Sequence, residues 1–311
     1  AGIGKIIIES GGVSPFSSGD GSIGAITFST ILDTAGTVAP APEVITYTIT
    51  DTDGDTSSAI LTLNNIIDDI AGNSANNTIT GTAKNESISG FGGDDIIDAG
   101  AGYDIVRGGD GNDVIGGGAD DDQLYGEAGN DVISGGTGND LIHGDAGNDT
   151  LFGNDGADTI FGGAGNDTID GGAGADTIVG GAGSDNLTGG AGVDVFKWAL
   201  NDQGASGTPA VDVITDFDPA AVGGDVLDLR DLLTGEQHVT GVGNLESFLH
   251  FELVGSDTVI HVSDNGGFSN GYTPTGESQT STLTNVDLVS ALGDDQAIIQ
   301  DLLINNKLIV D

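Results

Sequence analysis

The sequence predicts an all-β chain built around a parallel solenoid, with a β-rich domain on either side. Three observations carry this prediction. A nine-residue unit repeats without interruption over residues 72–197. Glycine reaches 56 residues of 311, far above the roughly 7% of ordinary proteins, and recurs at fixed places in that unit. Short runs of β-branched and alternating residues occupy both flanks, separated by turn residues. A period of nine, with only six prolines, excludes collagen.

The first element is residues 1–68. Runs at 5–9, 25–29, 44–50 and 59–63 read as strands, and the Pro/Ala/Gly stretch 35–42 as a loop. ITDTDGDTSS, residues 49–58, is a turn between two of those strands. Its Asp51, Asp53 and Asp55 surround Gly54 in the manner of a short calcium loop, without the full twelve-residue EF-hand pattern. The spacing leaves two readings open, a metal loop or a plain acidic hairpin.

The middle element is the repeat. Fourteen units open at Gly72, Gly81, Gly90, Ala99, Gly108 and so on to Gly189. The eighth position is apolar throughout, from Ile79 to Phe196. The sixth is aspartate in twelve successive units, from Asp95 to Asp194, after Asn77 and Glu86 in the first two. The fourth is glycine except at Ala75, Lys84 and Asp120. Such a period signals a solenoid. Glycines at positions one, two and four permit a tight turn, positions seven to nine form a very short strand, and position eight points inward. Two units make one coil, so seven coils at ~4.8 Å give a rod of roughly 30 Å.

Alternate units place their acids on opposite sides. Asp95, Asp113, Asp131, Asp149, Asp167 and Asp185 form one row; Asp104, Asp122, Asp140, Asp158, Asp176 and Asp194 form the other. Like charges every ~5 Å oppose stacking unless protonated or neutralised. Calcium accepts six to eight oxygens in flexible geometry, backbone carbonyls included, and fits better than magnesium, which demands a tight octahedron. Two rows of six predict about ten calcium ions. With one core side chain per nine residues, metal binding must supply folding energy. Asparagines at position five, such as Asn112, Asn130 and Asn148, either bond turn groups or simply tolerate the left-handed region. Asp120 and Asp121 are an added ligand set or surface acids. His143 is expected to face outward alone.

The last element is residues 198–311. Strands are expected at 212–217, 251–254, 258–262 and 308–310, short helices at 244–250 and 295–303, and a long loop at 263–279. Phe196, Trp198 and Phe217 are expected to seal the end of the solenoid, and His250 and His261 to be structural. The net charge of −43 opposes nucleic acid and anionic membranes and favours multivalent cations. There is no cysteine, no apolar run of membrane-spanning length and no basic-then-apolar leader. A chain without an initial methionine reads as a monomeric fragment of something longer.

Units such as GGTGNDLIH (135–143) and GGAGNDTID (162–170) resemble the RTX nonapeptide GGxGxDxUx. The resemblance implies a calcium-bound parallel β-roll whose ligands are backbone carbonyls and the twelve aspartates of the two rows. Asn77, Lys84 and Glu86 depart from the pattern, which implies metal-poor first turns. The stretch VDVITDFDPAAVGGDVLDLRDLL (211–233), with LESFLHFELVGSDTVIHVSDNGG and QAIIQDLLINNKLIVD, resembles a type I secretion C-terminal target domain. That resemblance implies a capping domain with an uncleaved export signal, read by an ABC exporter, its adaptor and an outer-membrane channel. VITYTITDTDGDTSSAILTLN is similar to the last strands of Ig-like repeats in giant bacterial adhesins, which implies an Ig-like β-sandwich portion over 1–68. The whole then reads as the non-enzymatic, calcium-dependent end of an exported surface adhesin, with an extracellular or cell-surface location. The alternatives are the tail of an RTX enzyme or toxin, an ice-binding face and a glycan-binding loop. Neither HExxH nor GxSxG occurs, and Thr137 is the lone threonine at position three.

Overall fold

The computed structural model describes residues 23–28, 43–51, 56–63, 68–199, 202, 210–220, 222–233, 243–263, 266–269, 271–272, 274 and 277–310. The chain divides into two units, Ala1–Ile66 and Ile67–Asp311.

In the first unit, Ile23–Phe28, Glu43–Asp51 and Thr56–Leu63 form an antiparallel sheet in chain order. The expected strands at 25–29, 44–50 and 59–63 are these three. Pairing of Thr50 with Thr56 places the reversal at the acidic stretch. The run 5–9, the loop 35–42, and Asp53 and Asp55 lie outside the described residues, as does the side chain of Asp51.

Among the described residues the second unit carries a parallel sheet of ten strands and a sheet of eleven that is parallel through the repeats and antiparallel at its far end. Consecutive repeats alternate between them, so partners are one coil apart. Leu124 pairs with Val106 and Ile142 in the first sheet; Ile133 pairs with Ile115 and Leu151 in the second. The eighth-position side chains from Ile88 to Phe196 are at most 2% exposed and form a file between the sheets. A β-branched or leucine side chain fills this narrow interior and matches the pleat.

The strands are longer than the sequence suggests. From Ile96–Ala101 to Asn186–Ala191 each strand runs six residues, as in Thr168–Ala173, from position seven through position three of the following unit. Ladder pairing continues through the glycines, for example Gly172 with Asn154. Only positions four to six make the turn. Positive φ occurs at position two as well as four, and there Phe91, Glu127, Asp145, Asn154 and Asp120 adopt it without being glycine, a strained choice for Phe91 above all.

Beyond the repeats both sheets continue. Ala210–Ile214 extends the second, followed by Gln279–Leu283 and the hairpin Asp257–Val262/Leu249–Val254. Val226–Asp228 and Leu308–Ile309 extend the first. Two of these, Gln279–Leu283 and Val226–Asp228, have no counterpart among the expected elements. A 3-10 turn, Leu245–Ser247, stands where a helix over 244–250 is expected, because Leu249 onward joins the hairpin. Asp295–Ile304 is helical as expected, with Asp294 accepting from the Ala297 N–H as its cap. Phe196, Trp198 and Phe217 are buried at the junction, the two Phe rings 6.3 Å apart.

Candidate metal centre

The twelve sixth-position aspartates stand in two rows, each at most 2% exposed. The repeat builds the rows by hydrogen bonding. Oδ1 of each accepts the backbone N–H of the sixth-position residue one coil earlier: Asp95 to Asp113, Asp113 to Asp131 and Asp131 to Asp149 in one row, all at 2.8 Å. Asp104 to Asp122 and Asp122 to Asp140 repeat this in the other, also at 2.8 Å. The second oxygen is different. Oδ2 is buried without a hydrogen-bond partner in all twelve.

Such an atom is costly in a low-dielectric interior. Burial accordingly pushes Asp122, Asp131, Asp167 and Asp185 up to about 7, and Asp104, Asp158, Asp176 and Asp194 up to about 6. The backbone N–H bond to Oδ1 works in the opposite direction, and carboxylates in adjacent coils add to the rise, as Asp149 and Asp113 do for Asp131. Asp113, Asp140 and Asp149 are raised by the same burial.

First-position glycine makes room for these oxygens. A Cβ on Gly126 would stand 2.3 Å from Asp131 Oδ2 and 2.8 Å from the carbonyl oxygen of Gly144 in the next coil. Gly108, Gly135, Gly153 and Gly162 show the same pair of neighbours. These five turns therefore each hold a gap, wide enough for a hydrogen only, lined by one carboxylate oxygen and one carbonyl oxygen from different coils, whereas Ala99 stands at the first position of the unit that carries Asp104. Among the described residues no three acidic or histidine side chains gather as a metal cluster. The donor set is one carboxylate per turn plus main chain, which suits a hard cation of high coordination number.

The rows begin with satisfied groups. Asn77 Oδ1 accepts the Asn73 N–H at 2.7 Å, and Glu86 Oε2 accepts the Thr82 N–H at 3.2 Å. Asp212 and Asp225 continue the rows at the other end, accepting from the N–H groups of Asp185 and Asp194 at 3.0 Å. Sequence reasoning missed both; their spacing from an apolar residue two places on was the available signal. Asparagine at position five forms a parallel ladder, in which Asn112 Oδ1 accepts the Asn130 N–H and Asn130 Oδ1 the Asn148 N–H. Asp121 joins such a ladder by accepting from the Asn139 N–H.

His143 faces outward but is not alone. It stacks between Tyr125 and Phe161 at 5.1 and 4.6 Å, with the Arg107 guanidinium 4.4 Å above Tyr125. Residues one coil apart at position nine are forced into register by the parallel pairing, so rings there must stack. Burial in this stack lowers the His143 pKa. His250 meets Asp295 at 2.8 Å and His261 meets Glu277 at 2.5 Å, bonds that tie hairpin, helix and loop together.

The pattern of the RTX calcium-binding nonapeptide repeat matches in four copies, over residues 71–106, 104–133, 134–169 and 161–196. Residues 71–196 are a calcium-binding RTX repeat region. The repeats of this kind are structural and non-catalytic, and typical of secreted bacterial proteins. Among solved structures, the chain is similar to the AlgE6R2 subunit of the Azotobacter vinelandii mannuronan C5-epimerase, at 25% identity and TM-score 0.30 over 55% of this chain and 88% of that one. The AlgE6R3 subunit gives 24% and 0.23, over 61% and 78%. Extracellular lipase LipA from Serratia marcescens gives 18% and 0.18, over 80% and 41%. No curated relative matches the chain. No helix among the described residues is long and apolar enough to cross a membrane.

Proposed function

We propose that this chain is the calcium-dependent folding and export module at the C-terminal end of a type I-secreted bacterial surface adhesin. The observation that carries the calcium part is the set of twelve buried, unpartnered Oδ2 atoms in two rows. Asp95, Asp104, Asp113, Asp122, Asp131, Asp140, Asp149, Asp158, Asp167, Asp176, Asp185 and Asp194 would hold the ions, together with carbonyls such as that of Gly144. Calcium would supply the charge that lets adjacent coils stack with every carboxylate ionised.

The roll's single-file core cannot offset the entropy of ordering its backbone. The chain is therefore open where calcium is scarce, as in a bacterial cytosol, and folds where calcium is abundant outside. Folding after emergence opposes return through an export channel. The adhesin context rests on the likeness of residues 44–64 to Ig-like adhesin repeats, and the export context on the likeness of 211–311 to secretion target domains. Asp51, Asp53 and Asp55 form a further candidate calcium loop in the first unit.

Circular dichroism through a calcium titration of the chelated protein tests the folding claim. The β signal is expected to grow with calcium; unchanged β content after chelation would contradict it. Deleting residues 295–311 is expected to abolish secretion, and normal export of that variant would overturn the export assignment.

A further inference from the structure

The unpartnered Oδ2 atoms stop at Asp194, but the rows do not. Asp212 and Asp225 take the N–H groups of Asp185 and Asp194, the same stitch that joins every coil before them. The strands that follow keep the roll's register. Asn186 and Leu187 pair with Val213 and Ile214, and Val195 and Phe196 with Val226 and Leu227. Val213 N–H reaches the Asp185 carbonyl and Val226 N–H the Asp194 carbonyl, both at 2.8 Å, as Val114 does to Asp95. Counted back from the two aspartates, GTPAVDVIT (207–215) and AAVGGDVLD (220–228) are a fifteenth and a sixteenth unit. Their eighth positions, Ile214 and Leu227, are buried with the rest of the file.

The difference lies at Oδ2. Asp212 Oδ2 accepts from Trp198 Nε1 at 2.7 Å and from Gln279 Nε2 at 2.5 Å. Asp225 Oδ2 accepts from the Asp218 N–H at 2.7 Å. Other buried carboxylates of this domain are also served by the protein. Arg230 grips Asp228 with two bonds, at 2.9 and 2.6 Å, and Glu277 is met by His261, Tyr272 and Thr280. The apolar core here is ordinary in kind, with Leu232, Leu245, Leu249, Ile298 and Ile299 fully buried. The run of unpartnered carboxylate oxygens thus ends between Asp194 and Asp212.

We propose that Ala210–Ile214 and Val226–Asp228 close the roll as the two strands of an eighth coil that holds no metal, and that the core they share with Leu232, Leu245, Leu249, Ile298 and Ile299 keeps its fold when calcium is withdrawn. Indole, amide and main-chain N–H groups do at Asp212 and Asp225 what a cation does along the roll. This inference rests on calcium occupying the roll itself. Withdrawal of calcium then melts the coils up to Asp194 and leaves Ala210–Ile214 and Val226–Asp228 as ordered edges on which they re-form.

Two measurements on the full chain test it. The first is bound calcium per chain by equilibrium dialysis, for the unaltered protein, Asp185→Asn and Asp212→Asn. Asp185→Asn is expected to lose at least one ion and Asp212→Asn none. Loss of an ion with Asp212→Asn overturns the inference alone, whereas absence of bound calcium in the unaltered chain overturns both it and the reading beneath it. The second uses Trp198, the sole tryptophan. In chelator its emission is expected to stay at a buried wavelength and to shift in one cooperative step with urea. Emission of a solvent-exposed indole in chelator before any urea overturns the inference. Where Asp212→Asn does not fold, this second readout decides by itself.

Discussion

At the scale of single residues, the roll is specified by pairs that act across one turn. Gly126 matters because Asp131 and the Gly144 carbonyl close on the space a side chain would take. Gly126→Ala is expected to cost at least about 2 kcal/mol, as overpacking against main chain does, and to shift the calcium midpoint upward in a titration followed by circular dichroism; an unchanged midpoint would mean the gap is not part of the site. Asp131→Asn keeps the acceptor for Asp113 N–H but removes the charge. Its expected effect is weaker calcium uptake with the β signal still recoverable at higher calcium, read by the same titration. The sixth-position aspartates were legible from spacing alone. Backbone carbonyls were expected beside them, but which carbonyl faces which aspartate, as that of Gly144 faces Asp131, is not written in residue identity. Asp212 and Asp225 were hidden because the uninterrupted nine-residue beat ends before them: GTPAVDVIT lacks glycine at positions two and four and AAVGGDVLD at positions one and two, and only the apolar residue two places after each aspartate is kept in both.

At the scale of elements, the six-residue strand explains the rest of the repeat. A nine-residue beat announces the solenoid and the inward eighth position, but it does not say where strand gives way to turn. Ladder pairing decides that, and it carries the strand through GGx. The same pairing stacks Tyr125, His143 and Phe161. His143→Ala is expected to cost about 1 kcal/mol, the usual worth of aromatic contact, against about 2–5 kcal/mol for Ile142→Ala in the core; denaturant melts of the calcium-loaded protein separate the two, and equal losses would show that the stack supports the fold more than stacking energy allows. Burial raises the folded pKa of Asp104, Asp158, Asp176 and Asp194 to about 6 and of Asp122, Asp131, Asp167 and Asp185 to about 7, from 3.8, and raises Asp113, Asp140 and Asp149 in the same direction. Ionisation therefore opposes the metal-free fold above that range, and the opposition fades as pH falls through 7 towards 4. Chelated protein is expected to gain β signal on acidification over that window, while calcium uptake weakens as protons compete. Loss of β signal instead would mean that the rows are not what keeps the metal-free roll open.

At the scale of the molecule, the two ends of the second unit answer different physical problems. The roll has a single file of core side chains and two rows of buried carboxylates with one oxygen unpartnered, which is why we propose that it needs ions to fold. The residues that follow have a broader core and protein partners for buried carboxylates such as Asp212, Asp225 and Asp228, which suits the capping role proposed for them. The −43 net charge exceeds what about ten calcium ions would neutralise, so a chain carrying that number would still be acidic. The repeats and the residues after them form a single unit where the sequence suggested two domains, while the parallel all-β roll could be read from the sequence. The strands Gln279–Leu283 and Val226–Asp228 could not, since short polar or mixed runs become strands only when a neighbouring edge recruits them. The most direct test of the account is diffraction from crystals grown in calcium, with the ions located by their anomalous signal. Two rows of peaks in contact with the Oδ2 atoms of Asp95 through Asp194 are predicted, and none at Asp212 or Asp225. Empty turns, with those oxygens bonded only to water, would contradict it.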